Sequence, residues 1–444
     1  MEKNLNITFP VCGKIRLRTL DEIGTTGWML GCETLDRDFA DYDQYKDYIA
    51  PLGIKTIRLQ GGWAKTEKVQ GVYDFAWLDH IIDDARSRGL DVLLETDYGN
   101  PIYPGGGGFD LAGGFPRSEE ALTAWDSWVR AMAVHFRGRV RDWAMWNEPD
   151  INGEHTSRDI ALFNIRTAEI ILSEIPDARI AGLSLASSSP YALENCLAVI
   201  AEEKKESLFT WFIYHGYTYN PDVSYGDVLG MKMQLMRYGM DIRLRQGENG
   251  CPSEEAHRFA LSNHPWTEFS QCKWDLRRYL GDFGHGVDSA VFTICDFNHK
   301  GREINRKGLL YADENHTVIR KKRVYSAIQN MVSVFDSSMK LLPGSGVAVL
   351  ADRETYAFRA ERNGALLAAY WLTDCIPGEM TEPETAELVI RGTIREPVLC
   401  ELISGTGYAV PESAVHCSDG KTIIGGLPLA DSPLVVAEKS ALPL

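Results

Sequence analysis

Val140-Arg141-Asp142-Trp143-Ala144-Met145-Trp146-Asn147-Glu148-Pro149 is a short, mostly apolar run that stops at a glutamate and a proline. A run of this length, bounded by a turn signal, reads as a buried strand. A second such run, Ile242 to Gln246, stops at Gly247-Glu248-Asn249-Gly250. The two glutamates stand one hundred positions apart (248 − 148), each just past a strand-like segment.

Working outward, the same pattern repeats from about residue 25 to 330: short apolar run, turn, amphipathic helix. The candidate strands are Trp28–Gly31, Thr56–Leu59, Val92–Glu95, Asp142–Trp146, Ile180–Leu183, Phe212–Tyr214, Ile242–Leu244 and Ala290–Ile294. Between them, Trp77, Leu78, Ile81, Ile82 and Ala85 fall at helical spacing. So do Leu122, Trp125, Trp128, Val129 and Met132, behind a capping start at Ser118-Glu119-Glu120-Ala121. Eight strand–helix units predict an α/β fold, a (β/α)8 TIM barrel over residues 21–335. The alternative, a doubly wound sheet, calls for a glycine-rich phosphate turn after the first strand, and Gly24-Thr25-Thr26-Gly27 lacks that form. Tyr98 to Pro116 reads as a long flexible loop over the barrel mouth; its Gly105–Gly108 run has no Gly-Lys-Ser/Thr to make it a phosphate loop.

Helical periodicity stops after a helix near Arg323–Phe335. Tyr356–Ala360 and Leu366–Trp371 flank Arg362-Asn363-Gly364, a hairpin signal. Further short strands at Glu387–Ile390, Val398–Ile403, Thr422–Ile424 and Leu434–Ala437 predict a C-terminal accessory β-sandwich over 336–444. Residues 6–18 alternate, so residues 1–20 are expected to lend that sandwich a strand.

The balance of 46 Lys+Arg against 62 Asp+Glu gives a formal charge of −16. That argues against nucleic acid, anionic membrane surfaces and polyanionic substrates, which need a basic patch. Met1 to Leu5 opens no apolar stretch of signal-peptide length, and no window reaches a membrane span. Nine cysteines without a C-x-x-C pair fit reduced thiols, hence a cytoplasmic protein. Eleven Trp and eighteen Tyr supply core packing for at least half of them and sugar-stacking platforms for the rest. A homo-oligomer is left open by the sequence, which does not show whether the sandwich domains would join it.

Two carboxylates at separate strand ends are what acid–base cleavage of a glycosidic bond requires. Glu148 is the candidate general acid, with Trp143 and Trp146 as apolar walls to favour its protonated form. Asn147 offers an amide for a sugar 2-hydroxyl. Glu248, between Gly247 and Gly250, is the candidate nucleophile. Arg58, ending the second strand, is placed to hydrogen-bond that nucleophile; a plain barrel-mouth ion pair is the alternative. His215 or Tyr217, ending the sixth, is placed to donate to Glu248 or to a sugar, against the alternative of a satisfied core histidine. Trp63, Asp97, Tyr98, Asn100 and Asp296 are weaker candidates, chosen only by position after strands two, three and eight.

Trp146-Asn147-Glu148-Pro149 after strand four with Glu248 after strand seven resembles the clan A retaining glycoside hydrolases on (β/α)8 barrels. Tyr98-Gly99-Asn100-Pro101, His215, Gly308-Leu309-Leu310 and the ending Leu427-Pro428-Leu429-Ala430-Asp431-Ser432-Pro433 make it most similar to family 39, the β-xylosidase and α-L-iduronidase family. The resemblance implies Glu148 as acid/base, Glu248 as nucleophile, Asn147 as the 2-hydroxyl contact, a carbohydrate substrate, and neither metal nor organic cofactor. Family 39 often shows His-His-Tyr at strand six, where this chain has His215-Gly216-Tyr217, so its sugar contacts there are expected to differ. An exo-acting β-xylosidase-like enzyme is the expectation. An endo-glycanase, a non-catalytic carbohydrate-binding barrel, or a metal-dependent enzyme using His215 with Asp296 or His299 are the competing readings.

Overall fold

The computed structural model describes residues 3–111, 113–299 and 303–444. Met1 and Glu2 of the N-terminal stretch, and Ala112 of the Tyr98–Pro116 loop, lie outside them.

Eight parallel strands close into a barrel: β1 (Trp28–Gly31), β2 (Thr56–Gln60), β3 (Asp91–Thr96), β4 (Asp142–Met145), β5 (Arg179–Leu185), β6 (Trp211–His215), β7 (Arg243–Glu248) and β8 (Asp288–Val291). β1 pairs with both β2 and β8, which closes the cylinder. Side chains alternate along a strand. Met29, Leu93, Ala144, Ala181, Trp211, Ile213 and Ala290 form a small inner core. Their neighbours Leu30, Leu94, Trp143, Met145 and Phe212 belong instead to the large core that includes the helices. Helices Ala76–Ser87, Glu119–Phe136 and Ser157–Glu174 cover β2 to β5 from outside. Ser118 caps the second of these, its Oγ accepting from Ala121 N at 3.0 Å. Ten of the eleven tryptophans are buried, so most of them are core rather than exposed platforms.

The loop after β3 is not the loose cover that its glycines suggested. Gly99 N donates to Gly108 O at 2.7 Å, and Asn100 N to Gly106 O at 2.8 Å. A Cβ on Gly106 would lie 2.0 Å from Asn100 O, and one on Gly107 2.0 Å from Gly114 O. The glycines are there because two backbones touch, not because the segment needs slack.

Beyond Arg323–Val334 the chain builds two antiparallel sheets, one of four strands and one of six that Val11–Lys14 extends to seven. Their facing residues, among them Tyr370, Leu399 and Val436 from one and Leu388, Ile424 and Leu429 from the other, form a second core. Asn363 (φ 52) and Gly364 (φ 83) make the hairpin turn between Thr355–Arg362 and Ala365–Leu372. Val11–Lys14 pairs with Thr406–Ala409 at the edge of the seven-stranded sheet. The sandwich is tied to the barrel by buried pairs: Lys273 Nζ to Asp431 at 2.6 Å, and Trp371 Nε1 to Asp222 at 3.0 Å. Among the described residues no helix is long and apolar enough to cross a membrane, and the nine cysteines are all free.

Candidate active site

The C-terminal ends of the strands gather the two glutamates. After β4, Trp146 N donates to Thr96 O of β3 at 3.0 Å, and Glu148 N donates to Ser184 O of β5 at 2.9 Å. The turn is therefore stitched to both neighbouring strand ends. Trp146 (φ 60) and Glu148 (φ 47) are left-handed. Each such residue costs about 1–3 kcal/mol and persists only where its surroundings over-determine it.

Glu248 closes β7. A Cβ on Gly247 would lie 2.4 Å from Ile213 Cγ2, so only glycine lets β7 lie this close to β6. Glu248 Oε2 accepts from Arg58 Nη1 at 3.0 Å, and Oε1 from the Tyr217 hydroxyl at 2.9 Å. Burial alone would raise its pKa, but the charges of His215 and Arg58 and the two donated hydrogen bonds outweigh it, and the net shift is downward. Glu248 is thereby held as a carboxylate. In Tyr217→Phe one donor to the charged form is lost. A hydrogen bond to a charged group is worth about 1.5–3 kcal/mol, so kcat/KM falls about tenfold to a hundredfold. Because the donor lowers the pKa, the acid limb of the kcat/KM profile moves to higher pH in the variant. An acid limb that does not move would remove Tyr217 from this role.

Arg58 is the hub. It is fully buried. Nη1 also donates to Glu33 Oε1 at 3.0 Å and to Gly247 O at 3.2 Å. Nη2 donates to both Glu95 oxygens, at 2.9 and 3.0 Å, and to Asn147 Oδ1 at 2.5 Å. One cation cannot hold three buried carboxylates ionised. Burial and the negative charge of Glu248 lift Glu33 to about 8 despite Arg58, so it keeps its proton at neutral pH. Burial also raises Glu95, against the pull of Arg58.

His215 joins the pair. Its Nδ1 is 2.8 Å from Glu148 Oε1 and 3.8 Å from Glu248 Oε2. One ligand-type atom from each of Glu148, His215 and Glu248 lies within 4.8 Å of the others. That set is the place where a divalent cation would sit. Arg58 and Tyr217 already take both Glu248 oxygens, however, and a guanidinium 3.0 Å away opposes a dication.

The remaining sequence candidates divide. Asn147 is in the site, its Oδ1 on Arg58. Trp63 and Trp146 belong to an aromatic layer between barrel and helices: Trp63 stacks on Tyr103 and Trp128, and Trp146 meets Tyr98, Phe115, Trp125 and Phe163. Trp143 alternates with inward-facing Ala144 and belongs to the outer core, not to a wall around Glu148. Asn100 is used to tie its loop to the segment after β2, with Nδ2 on Glu67 O at 2.8 Å. Asp97 is buried at the end of β3 and accepts from Gly62 N at 3.3 Å; burial and the nearby acids Glu95 and Asp36 push its pKa well up. Tyr98 bonds Gln60. Asp296 is taken by Lys322 (2.6 Å) and Arg306 (3.0 Å). Glu33, Glu95 and Lys307 were not anticipated from sequence. Glu33 and Glu95 each close or follow an apolar run, as in Leu93-Leu94-Glu95, while Lys307, after Asn305-Arg306, carries no such signal. Over the barrel mouth lies a cavity of about 720 Å³ lined by Arg37, Phe39, Lys65, Tyr98, Phe109 and Phe259, among others.

The family model described as beta-galactosidase matches residues 40–102, a window that holds Arg58 but neither glutamate. Among curated proteins, a 51-residue stretch (11% of this chain) is 37% identical to the beta-galactosidase BgaA of Clostridium cellulovorans, of which it spans 8%. Among solved structures, a family 39 glycoside hydrolase from Bacteroides cellulosilyticus WH2 superposes with a TM-score of 0.67 at 15% identity, over 95% of this chain and 81% of that one. A monomeric beta-xylosidase from Caulobacter crescentus CB15 gives 0.63 at 16%, over 96% and 97%. A family 30 endoxylanase from Clostridium papyrosolvens C71 gives 0.56 at 12%, over 97% and 98%. The chain has the barrel-with-accessory-sheet fold of these glycoside hydrolases.

Proposed function

We propose that this chain is a retaining O-glycosidase that removes single sugars from oligosaccharides or glycosides, in the manner of a beta-xylosidase. The observation that carries the reading is the approach of two strand-end carboxylates to within 4.8 Å, both beside one imidazole. Retaining enzymes hold their carboxyl groups about 5–5.5 Å apart, whereas inverting ones leave about 6.5–9.5 Å for a water. The likeness in fold to family 39 and family 30 enzymes supports the same chemistry.

In this mechanism Glu248, kept ionised by Arg58 and Tyr217, attacks the anomeric carbon. Glu148 gives its proton to the departing glycosidic oxygen. Glu148 then takes a proton from water as that water attacks the same carbon and frees Glu248. Since Asn147 Oδ1 faces Arg58, its Nδ2 is the atom to donate to the sugar's 2-hydroxyl. The His215 Nδ1 contact fixes the orientation of Glu148.

The test is a panel of nitrophenyl β-xyloside, β-glucoside, β-galactoside, α-L-arabinosides and uronides, run on wild type and Glu248→Ala. A hit lost in the variant supports the reading; a hit that survives overturns it. Products from an oligosaccharide separate exo from endo action, since single sugars released first support the former. A metal-dependent enzyme is the second reading, favoured by the Glu148–His215–Glu248 set. EDTA tells them apart. The two-glutamate mechanism predicts unchanged turnover after chelation and dialysis, and a loss restored by a divalent cation would favour the metal.

A further inference from the structure

Among the described residues three lysines are buried. Lys273 meets Asp431 at 2.6 Å and two backbone carbonyls. Lys322 meets Asp296 at 2.6 Å, Ser253 and a carbonyl. Lys307 is 2% exposed, yet its Nζ has no acceptor among the described residues. Nζ is not among the fully buried unpartnered atoms, so the little exposure Lys307 has reaches its ammonium; a charge this far from bulk water with no protein acceptor is retained where water or a ligand supplies the oxygen.

The surroundings say where that oxygen comes from. Lys307 Nζ lies 5.8 Å from the centre of the Tyr217 ring and 6.0 Å from that of Phe259. Tyr217 holds Glu248, and Phe259 lines the mouth cavity. The ammonium thus lies near the ring whose hydroxyl holds the nucleophile and near a ring that lines the mouth cavity. Its backbone is pinned: Lys307 N donates to Asn305 Oδ1 at 3.3 Å, its carbonyl accepts from Gln271 Nε2 at 3.3 Å, and Gly308 N donates to Asp296 Oδ1 at 3.0 Å. The adjacent Arg306, by contrast, is fully paired with Asp296 and Glu254.

We infer that Lys307 is a substrate-contacting residue of the glycone site, its ammonium donating to an oxygen of the sugar held over Glu248. The inference rests on the glycosidase reading. The shared ligand chemistry is an acceptor oxygen on the sugar, either a hydroxyl of a neutral glycone or a carboxylate of an acidic one. Among the described residues, the ionisable groups that face Lys307 are Glu248 and Cys251 on and after β7, Tyr217 after β6, and Glu303. Burial outweighs the opposing charges of Cys251, Glu248 and Glu303 and brings the ammonium down to about 8. It therefore stays charged at neutral pH and loses its proton just above.

The test compares wild type, Lys307→Met and Lys307→Arg on the glycosides that wild type hydrolyses, with KM and kcat measured from about pH 6 to pH 9. Methionine keeps the length and leaves no buried charge, and a thermal melt confirms folding. A hydrogen bond from a charged donor is worth about tenfold to a hundredfold, so Lys307→Met should lose that much in kcat/KM, mostly through KM. Wild-type KM should rise as pH passes about 8, and KM of Lys307→Met should stay flat there. A loss concentrated on uronides identifies a carboxylate partner; a loss on neutral glycosides identifies a hydroxyl. A folded Lys307→Met with kcat/KM within about twofold of wild type and the same pH dependence overturns the inference and leaves the glycosidase standing. A wild type silent on the whole panel overturns both.

Discussion

Glu248→Ala should turn over an aryl glycoside at least about a thousandfold more slowly than wild type, and azide should restore part of the loss. The size follows from what is removed. Glu248 is the group that Arg58 and Tyr217 keep ionised, and no second carboxylate can take its place. Glu33 and Glu95 are engaged by Arg58, and burial raises the pKa of each. Alanine leaves space where the carboxylate approached the anomeric carbon. Azide can attack from that side, expelling the aglycone as the new carbon–nitrogen bond forms. The glycosyl azide should have the opposite anomeric configuration to the substrate. Turnover within about tenfold of wild type would end the nucleophile assignment.

Glu148→Ala should show a different signature. A general acid matters in proportion to how poorly the leaving group departs alone. The variant should lose about a hundredfold to ten-thousandfold in kcat/KM on alkyl glycosides or oligosaccharides. It should lose far less on dinitrophenyl glycosides, whose aglycone leaves without a proton. On those activated substrates the second step becomes slow, because no base remains to activate water, and a burst of phenolate should precede a slow steady state. Equal damage to both substrate classes would argue against the acid/base role.

Much of this was legible before any coordinates. The barrel showed because each strand is a short apolar run and each helix repeats its apolar residues every three or four positions. The hairpin showed because Asn363-Gly364 suits a turn that needs two left-handed residues. Glu148 and Glu248 stood out as candidates because one follows and the other ends a strand, and a barrel presents strand ends on one face. What failed were judgements of facing. Trp143 looked like a wall for Glu148, yet alternation turns it outward. Asn100 and Asp296 sit after the right strands but are consumed by Glu67 and by Lys322 with Arg306. The glycine run read as slack because close backbone contact leaves no trace in a local window. Glu33, Glu95 and Lys307 escaped for a related reason. Each is a single charged residue in an ordinary context, and only the fold brings the first two onto Arg58 and the third beside Tyr217.

The central claim is that Glu248 forms a covalent bond to the sugar. The direct measurement is mass spectrometry of the proteolysed enzyme after incubation with an activated 2-deoxy-2-fluoro glycoside of whichever sugar the panel selects. The fluorine slows both formation and release of the glycosyl enzyme, and the activated leaving group restores the first step alone, so the intermediate accumulates. The account predicts one fluoroglycosyl adduct, on the peptide that carries Glu248, formed as activity is lost and absent in Glu248→Ala. An adduct on another residue, or an enzyme that turns over the unmodified glycoside without ever acquiring one, would contradict it.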